Sequence, residues 1–239
     1  MKLFPSLPVI HLNHIELVRN ITRDEFILGK KQYDNYHIGY AIAKHYKKLG
    51  TYINVGLHYP TSMGVCSWHD YVYGFEPDFT INEIKKWCVQ QGYENFTLVQ
   101  QPLYSHRKLT EFYVVPEEYR AKNPEKMGGN TLDRFRWKED FEPKVLNVQT
   151  NTIDKFVRIK NIKNIDFIKV DAEGADAKII LGAEWVVSKY KPIIQIECPQ
   201  NIVVPLLREN NYYSVQFKSA ITRTHGPVDY WFIPGELIT

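Results

Sequence analysis

Apolar positions along this chain fall into two periods, short unbroken runs and stripes at helical spacing. From Ile165 to Val170 almost every position is apolar or β-branched, as a strand covered on both faces requires, and Asp171, Glu173 and Gly174 follow at once. Ile193 to Ile196 repeats the run and ends at Glu197. Between them Ala177, Ile180, Leu181, Trp185 and Val186 recur at helical spacing, and Lys191-Pro192 closes the helix. A strand, a crossover helix and a strand make a right-handed parallel unit, so Asp171 and Glu197 are expected at one carboxyl edge of a sheet, where open α/β sheets bind ligands. Capping of the next helix explains Asp171 and Glu173 but leaves Glu197 unexplained.

The same alternation runs through the rest of the chain. Residues 14 to 49 carry a helical stripe (Ile38, Ala41, Ile42, His45, Tyr46, Leu49) with Gly50 as a stop. Strands are expected at Tyr52–Val55, Tyr71–Phe75 and Phe96–Val99, with a short helix opened by Pro60 and Thr61 and another marked by Ile81, Ile84, Trp87 and Cys88. Leu109–Val115 alternates as an edge strand does, and Val145–Gln149 reads as a further strand. Thr152 caps a short helix to Ile159, Val203–Arg208 forms another, and Tyr212–Phe217 with Val228–Ile233 makes a closing antiparallel pair. The polar segment between Pro116 and Pro143 is long and irregular. Such a segment is expected to cover a ligand, with Tyr119, Arg120, Asn130, Arg134 and Trp137 as its contacts, although an oligomer interface uses the same residue types.

Composition narrows the partners. With 239 residues, 44% hydrophobic, one α/β domain over residues 50–239 and a helical extension over residues 1–49 are expected. A charge of +3, from 30 basic and 27 acidic residues without a basic run, leaves nucleic acid unsupported. Cys66, Cys88 and Cys198 are too scattered for a disulfide framework and fit a reducing compartment. The opening residues lack the uninterrupted apolar core of a secretion signal, and no run reaches the roughly eighteen apolar residues of a membrane span, so a soluble, cytoplasmic protein is expected. Sixteen tyrosines and five tryptophans offer flat apolar faces suited to sugar rings or to a second copy of the chain.

Two loops on the amino-terminal side carry candidate ligand contacts. Gly56, after Asn54 and Val55, permits close backbone approach. Glu76, in Gly74-Phe75-Glu76-Pro77-Asp78, lies twenty residues beyond Gly56 at the end of the second strand, where an acid can accept two hydrogen bonds from vicinal ribose hydroxyls. As an alternative, Glu76 or Asp78 caps the helix that follows.

The segments YINVGLHYPTSM, VYGFEPD, TNTIDKF and IDFIKVDAEGADAKIILGAEWVV, followed by KPIIQIE, resemble the FkbM family of S-adenosylmethionine-dependent O-methyltransferases over roughly residues 50 to 235. The resemblance implies a class I methyltransferase fold, a Rossmann-like three-layer sandwich whose seven-stranded sheet is parallel except for one strand near the carboxyl terminus. It also implies S-adenosylmethionine over the first strand ends, with Glu76 on the ribose, Asn54, Gly56 and His58 beside the methionine portion, and Asp78 or Gln100 near the adenine. Where family members usually have D-x-G-x-N-x-G, this chain has Asn54, Gly56, His58 and Pro60, which implies a modified donor loop. The expected reaction is methylation of a hydroxyl on a sugar or glycan. Asp171 and Glu197 would act as a base pair or hold Mg²⁺, Glu173 would orient the loop, and His225 is a second candidate base. A catalytically inactive binding module with this fold and a nicotinamide-dependent enzyme are the rival readings; the single glycine of the first loop counts against the second.

Overall fold

The computed structural model describes residues 7–12, 17, 35–122, 130–132, 141–197, 201–217 and 229–238. Ten strands appear among them: β1 (Val9–Leu12), β2 (Thr51–Val55), β3 (Tyr71–Phe75), β4 (Phe96–Val99), β5 (Leu109–Val114), β6 (Lys144–Gln149), β7 (Phe167–Val170), β8 (Ile193–Ile196), β9 (Tyr212–Phe217) and β10 (Tyr230–Pro234). Eight of these form one sheet in the order β1-β9-β10-β8-β7-β2-β3-β4, and β5 pairs with β6 in a separate antiparallel ribbon. β10 runs antiparallel to both neighbours, whereas the other pairings in the large sheet are parallel. From β2 the chain winds outward to β3 and β4, then returns to the other side of β2 with β7 and β8, so a switch point lies between β2 and β7.

The expected sheet had seven strands, and the structure adds β1, which pairs in parallel with β9 from Val9↔Ser214 to Leu12↔Phe217. A run of only four residues, Val9-Ile10-His11-Leu12, is too short to single out in sequence, but the open edge of β9 supplies backbone partners for it. The central strands β7 and β8 are buried throughout, which accounts for their mostly apolar sequences, interrupted only by Lys169 and Gln195.

Helices cover both faces. On one side lie α1 (Asn35–His45), the 3₁₀ helix Pro60–Ser67 and α2 (Ile81–Gln90), packing Ile38, Ile42, Met63, Ile84 and Cys88 onto Tyr52, Val72 and Phe167. On the other lie α4 (Ile153–Ile159), α5 (Asp176–Leu181), α6 (Glu184–Tyr190) and α7 (Val204–Glu209), packing Phe156, Ile180, Val187 and Leu207 onto Ile168, Val170 and Ile194. The remaining helix, α3 (Glu117–Lys122), follows β5.

Three expectations of helix extent change. The first helix ends at His45, with Lys47 in the left-handed region at φ 55°, before Gly50 is reached. Upstream of Asn35 the expected helical stretch lies mostly outside the described residues. The crossover between β7 and β8 is two helices, not one. Its break at Gly182-Ala183 is made by the Tyr104 carbonyl, which leaves no room for a Cβ at Gly182, and by Asp154, whose carboxylate accepts from the amides of Trp185 and Val186 at 2.9 Å each and so caps α6 from a neighbouring helix. The Thr152 hydroxyl caps α4 as expected, accepting from the Lys155 amide at 3.0 Å.

Candidate active site

The loops after β2, β3, β4 and β7 meet at the switch point around a cleft open to solvent, with about 60 Å³ of free volume. Gly56 holds φ 80°, and its amide donates to the Phe75 carbonyl at 3.0 Å. A Cβ there would lie 2.7 Å from the Asp171 carbonyl carbon, so the absence of a side chain lets two loops touch. Glu76 ends β3 on the pocket wall and is 5% exposed. Its two carboxylate oxygens accept from the amides of His58 and Asp78, each at 3.1 Å, which holds the group in one orientation.

The roof comes from the ribbon and the segment that crosses it. Phe112 of β5 and Asn130, Thr131 and Leu132 line the cavity opposite Glu76. Thr131 exchanges backbone hydrogen bonds with Tyr113 at 2.8 and 3.0 Å, and its hydroxyl donates to the Glu173 carbonyl at 2.9 Å. The Asn130 side chain donates to Asp78 at 2.7 Å and accepts from the Val115 amide at 2.9 Å. Residues 130–132 are thereby tied to the loop after β3 on one side and to the Asp171 loop on the other.

Acids converge at the far end. Asp171, Glu173 and Glu197 can each bring one oxygen within 4.8 Å of the others, placing the ends of β7 and β8 at one sheet edge. Asp171 lines the pocket, and its Oδ2 receives the Lys169 ammonium at 2.8 Å. Burial works against the Asp171 charge, but Lys169 and a hydrogen bond shared with Glu197 hold its carboxyl below the usual range. Burial, and then the Asp171 charge, push Glu197 up to about 9. The two carboxyls therefore titrate as a pair, with the charge favoured on Asp171 and the proton on Glu197.

A hard divalent cation held by Asp171, Glu173 and Glu197 would have to compete with groups already in place. The Lys169 ammonium already occupies one oxygen of Asp171, and the Glu197 proton would have to leave before its carboxylate could bind. The Glu197 proton also sets a pH dependence of stability. Between 4.5 and about 9 the folded chain holds a proton that the unfolded chain has lost, so this group's contribution falls as pH rises through that window. Urea midpoints are expected to decline from pH 5 to pH 9, and Glu197→Gln to flatten that decline.

Several expected contacts land elsewhere. Gly56, His58, Glu76, Asp171 and Glu173 line the cavity. Asn54 does not: its side chain is fully buried and donates to the Ser62 carbonyl at 3.1 Å, because it points into the helical layer from the middle of the sheet. Asp78 is also off the wall, held by Asn130 and by the Phe79 amide at 2.6 Å. Gln100 is exposed and off the wall, whereas Gln101, beyond the turn after Val99, lines the cavity and accepts from the Asn151 side-chain amide at 3.0 Å. His225, Arg134 and Trp137 lie outside the described residues. Lys169 was not expected. A lysine in the middle of a strand otherwise suited to burial on both faces was its sequence signal.

Pocket, strand order and helical layers define a class I methyltransferase fold. Residues 48–212 match the profile of the methyltransferase FkbM domain, which is more than half of the chain, and the chain belongs to that family. Among solved structures it resembles methyltransferase FkbM from Methylobacillus flagellatus KT at 13% identity and TM-score 0.46, covering 92% of this chain and 57% of that one, so it spans little more than half of that relative. It also resembles an rRNA methylase from Streptococcus thermophilus (9% identity, TM-score 0.47, 86% and 99% covered). A third is precorrin-6y C5,15-methyltransferase from Geobacter metallireducens GS-15 (13%, 0.43, 88% and 94%). No curated protein matches the sequence. No helix among the described residues is long and apolar enough to cross a membrane.

Proposed function

We propose that this protein transfers the methyl group of S-adenosylmethionine to a hydroxyl group, that of a sugar or glycan. The observation that carries the reading is the Glu76 carboxylate, fixed by two backbone amides on the wall of a cavity that reaches from the glycine loop to Asp171. Vicinal ribose hydroxyls are donors matched to such a carboxylate, and Gly56 leaves the backbone bare where the methionine portion would pass. His58 forms part of the wall beside that portion, and the exposed Tyr59 leaves the cavity open, which favours turnover over an occluded binding module.

Bound there, S-adenosylmethionine supplies an electrophilic methyl group on a sulfonium. Asp171 receives the proton that the acceptor hydroxyl loses as its oxygen takes the methyl group, and Glu197, protonated, donates a hydrogen bond to Asp171 and steadies it. Most of the rate gain comes from alignment, because a hydrogen-bonded carboxylate of low basicity is a modest base. Glu173, at φ 51° with its carbonyl bound by Thr131, orients the loop. The roof at Asn130 to Leu132 supports an acceptor held beneath those three residues.

Calorimetric titration with S-adenosylhomocysteine tests the donor site. Loss of two charge-assisted hydrogen bonds in Glu76→Ala should weaken binding about 100-fold. Equal affinity in the variant, or no heat of binding in the wild type, would remove this reading.

A further inference from the structure

Lys169 is 1% exposed and sits in the middle of β7, paired in register with Asn54 of β2 and Gln195 of β8. Three parts of the chain that are distant in sequence meet at its ammonium. Tyr36, at the start of α1, lies with its ring centroid 4.8 Å from Nζ; Asp171, two residues on, takes the 2.8 Å ion pair; Asp229, just ahead of β10, adds its charge. Asp229 is buried, and Gln195 donates to it from the next strand.

Burying an ammonium costs several kcal/mol, and apolar residues of similar volume commonly replace buried ion pairs without loss of stability. A purely structural account therefore gives no reason for a lysine in a strand whose neighbours are Phe167, Ile168 and Val170. Its placement offers one. Lys169 lies outside the cavity lining, and Asp171 stands between it and the open space, with its side chain 35% exposed. A positive charge there stabilises the carboxylate without obstructing the acceptor or facing the donor's sulfonium across the cavity.

We propose that Lys169 is a positioning residue for methyl transfer: from behind the sheet edge its ammonium, 2.8 Å from the Asp171 carboxylate, aims that carboxylate into the pocket. The inference rests on the reading of Asp171 as the group that receives the acceptor's proton. Tyr36 from α1, Tyr52 from β2, Asp171 from its own strand and Asp229 before β10 face Lys169, and although burial opposes its charge they hold it charged well above an ordinary lysine. Lys169, Glu197 and His58 face Asp171; Asp171, Glu173 and Asp176 face Glu197.

The test is a pH titration of the full chain labelled with ¹³C at Asp and Glu carboxyls, followed by NMR, with Asp171→Asn and Glu197→Gln assigning the two signals. In the wild type Asp171 should be ionised at neutral pH while Glu197 titrates near 9. In Lys169→Met both steps of the pair should move upward, because the remaining charges repel without a counter-ion, and Lys169→Arg should restore part of the shift. Should Lys169→Met fail to fold, Lys169→Gln, which keeps a hydrogen-bond donor but no charge, takes its place, and the same upward shift of the pair is expected. An ionised Glu197 beside a protonated Asp171 in the wild type, or a pair unmoved in Lys169→Met, would overturn the proposal. Binding of S-adenosylhomocysteine, measured on the same samples, reports separately on the donor site, so either reading can fail without the other.

Discussion

Gly56→Ala should cost about 3 kcal/mol or more of folding stability and abolish binding of S-adenosylhomocysteine. Two effects add. At φ 80° any residue with a Cβ is strained, by about 1–2 kcal/mol. The new methyl group would also overlap the Asp171 carbonyl, which is backbone and cannot swing aside. Separation of the two loops would break the contact between the ends of β2 and β7, where the Asp171 amide donates to the Val55 carbonyl at 3.0 Å. The donor and acceptor halves of the site are joined there. Urea denaturation and calorimetry check both parts of the expectation, and a variant with wild-type midpoint and affinity would refute the close approach.

Asp171→Asn should lower methyl transfer by about 10²- to 10⁴-fold while leaving affinity for S-adenosylhomocysteine within a few-fold of wild type. Asparagine keeps the shape and one acceptor oxygen, so the donor pocket survives. It cannot take up a proton, and it removes the anion that Lys169 and Glu197 both bind. The measurement is transfer of a radiolabelled methyl group to hydroxylated acceptors under single-turnover conditions, with and without a chelator. Undiminished transfer in the variant would sink the base assignment; full loss of wild-type transfer on chelation would replace the proton-holding pair by a metal site.

Much of the fold was legible in the order of residues because buried parallel strands need near-continuous apolar runs, and Ile165–Val170 and Ile193–Ile196 are largely apolar and each followed by an acid. Given one right-handed crossover, Asp171 and Glu197 had to share an edge, and the structure places them so. Glu76 was legible for a similar reason, since strand length and helix length set the spacing from Gly56 to the next strand's end.

What sequence could not show depends on contacts between distant segments. The break between α5 and α6 is set by Tyr104 and Asp154, which approach from other elements. Asn54 stands in a loop-like motif, yet the sheet carries it into the helical layer, where the Ser62 carbonyl takes its amide. Asn130 belongs to the roof only because the ribbon folds it against Asp78, 52 residues away in the chain. The charge of the acid pair is likewise tertiary. Asp171 and Glu197 have similar carboxyl groups, and only the burial of both, with Lys169 on one side and three acids on the other, separates them into an ion and an acid. Local periodicity placed the strands and their terminal acids; long-range packing, which alone controls solvent access and the distances between charges, decided which of those acids keeps its proton.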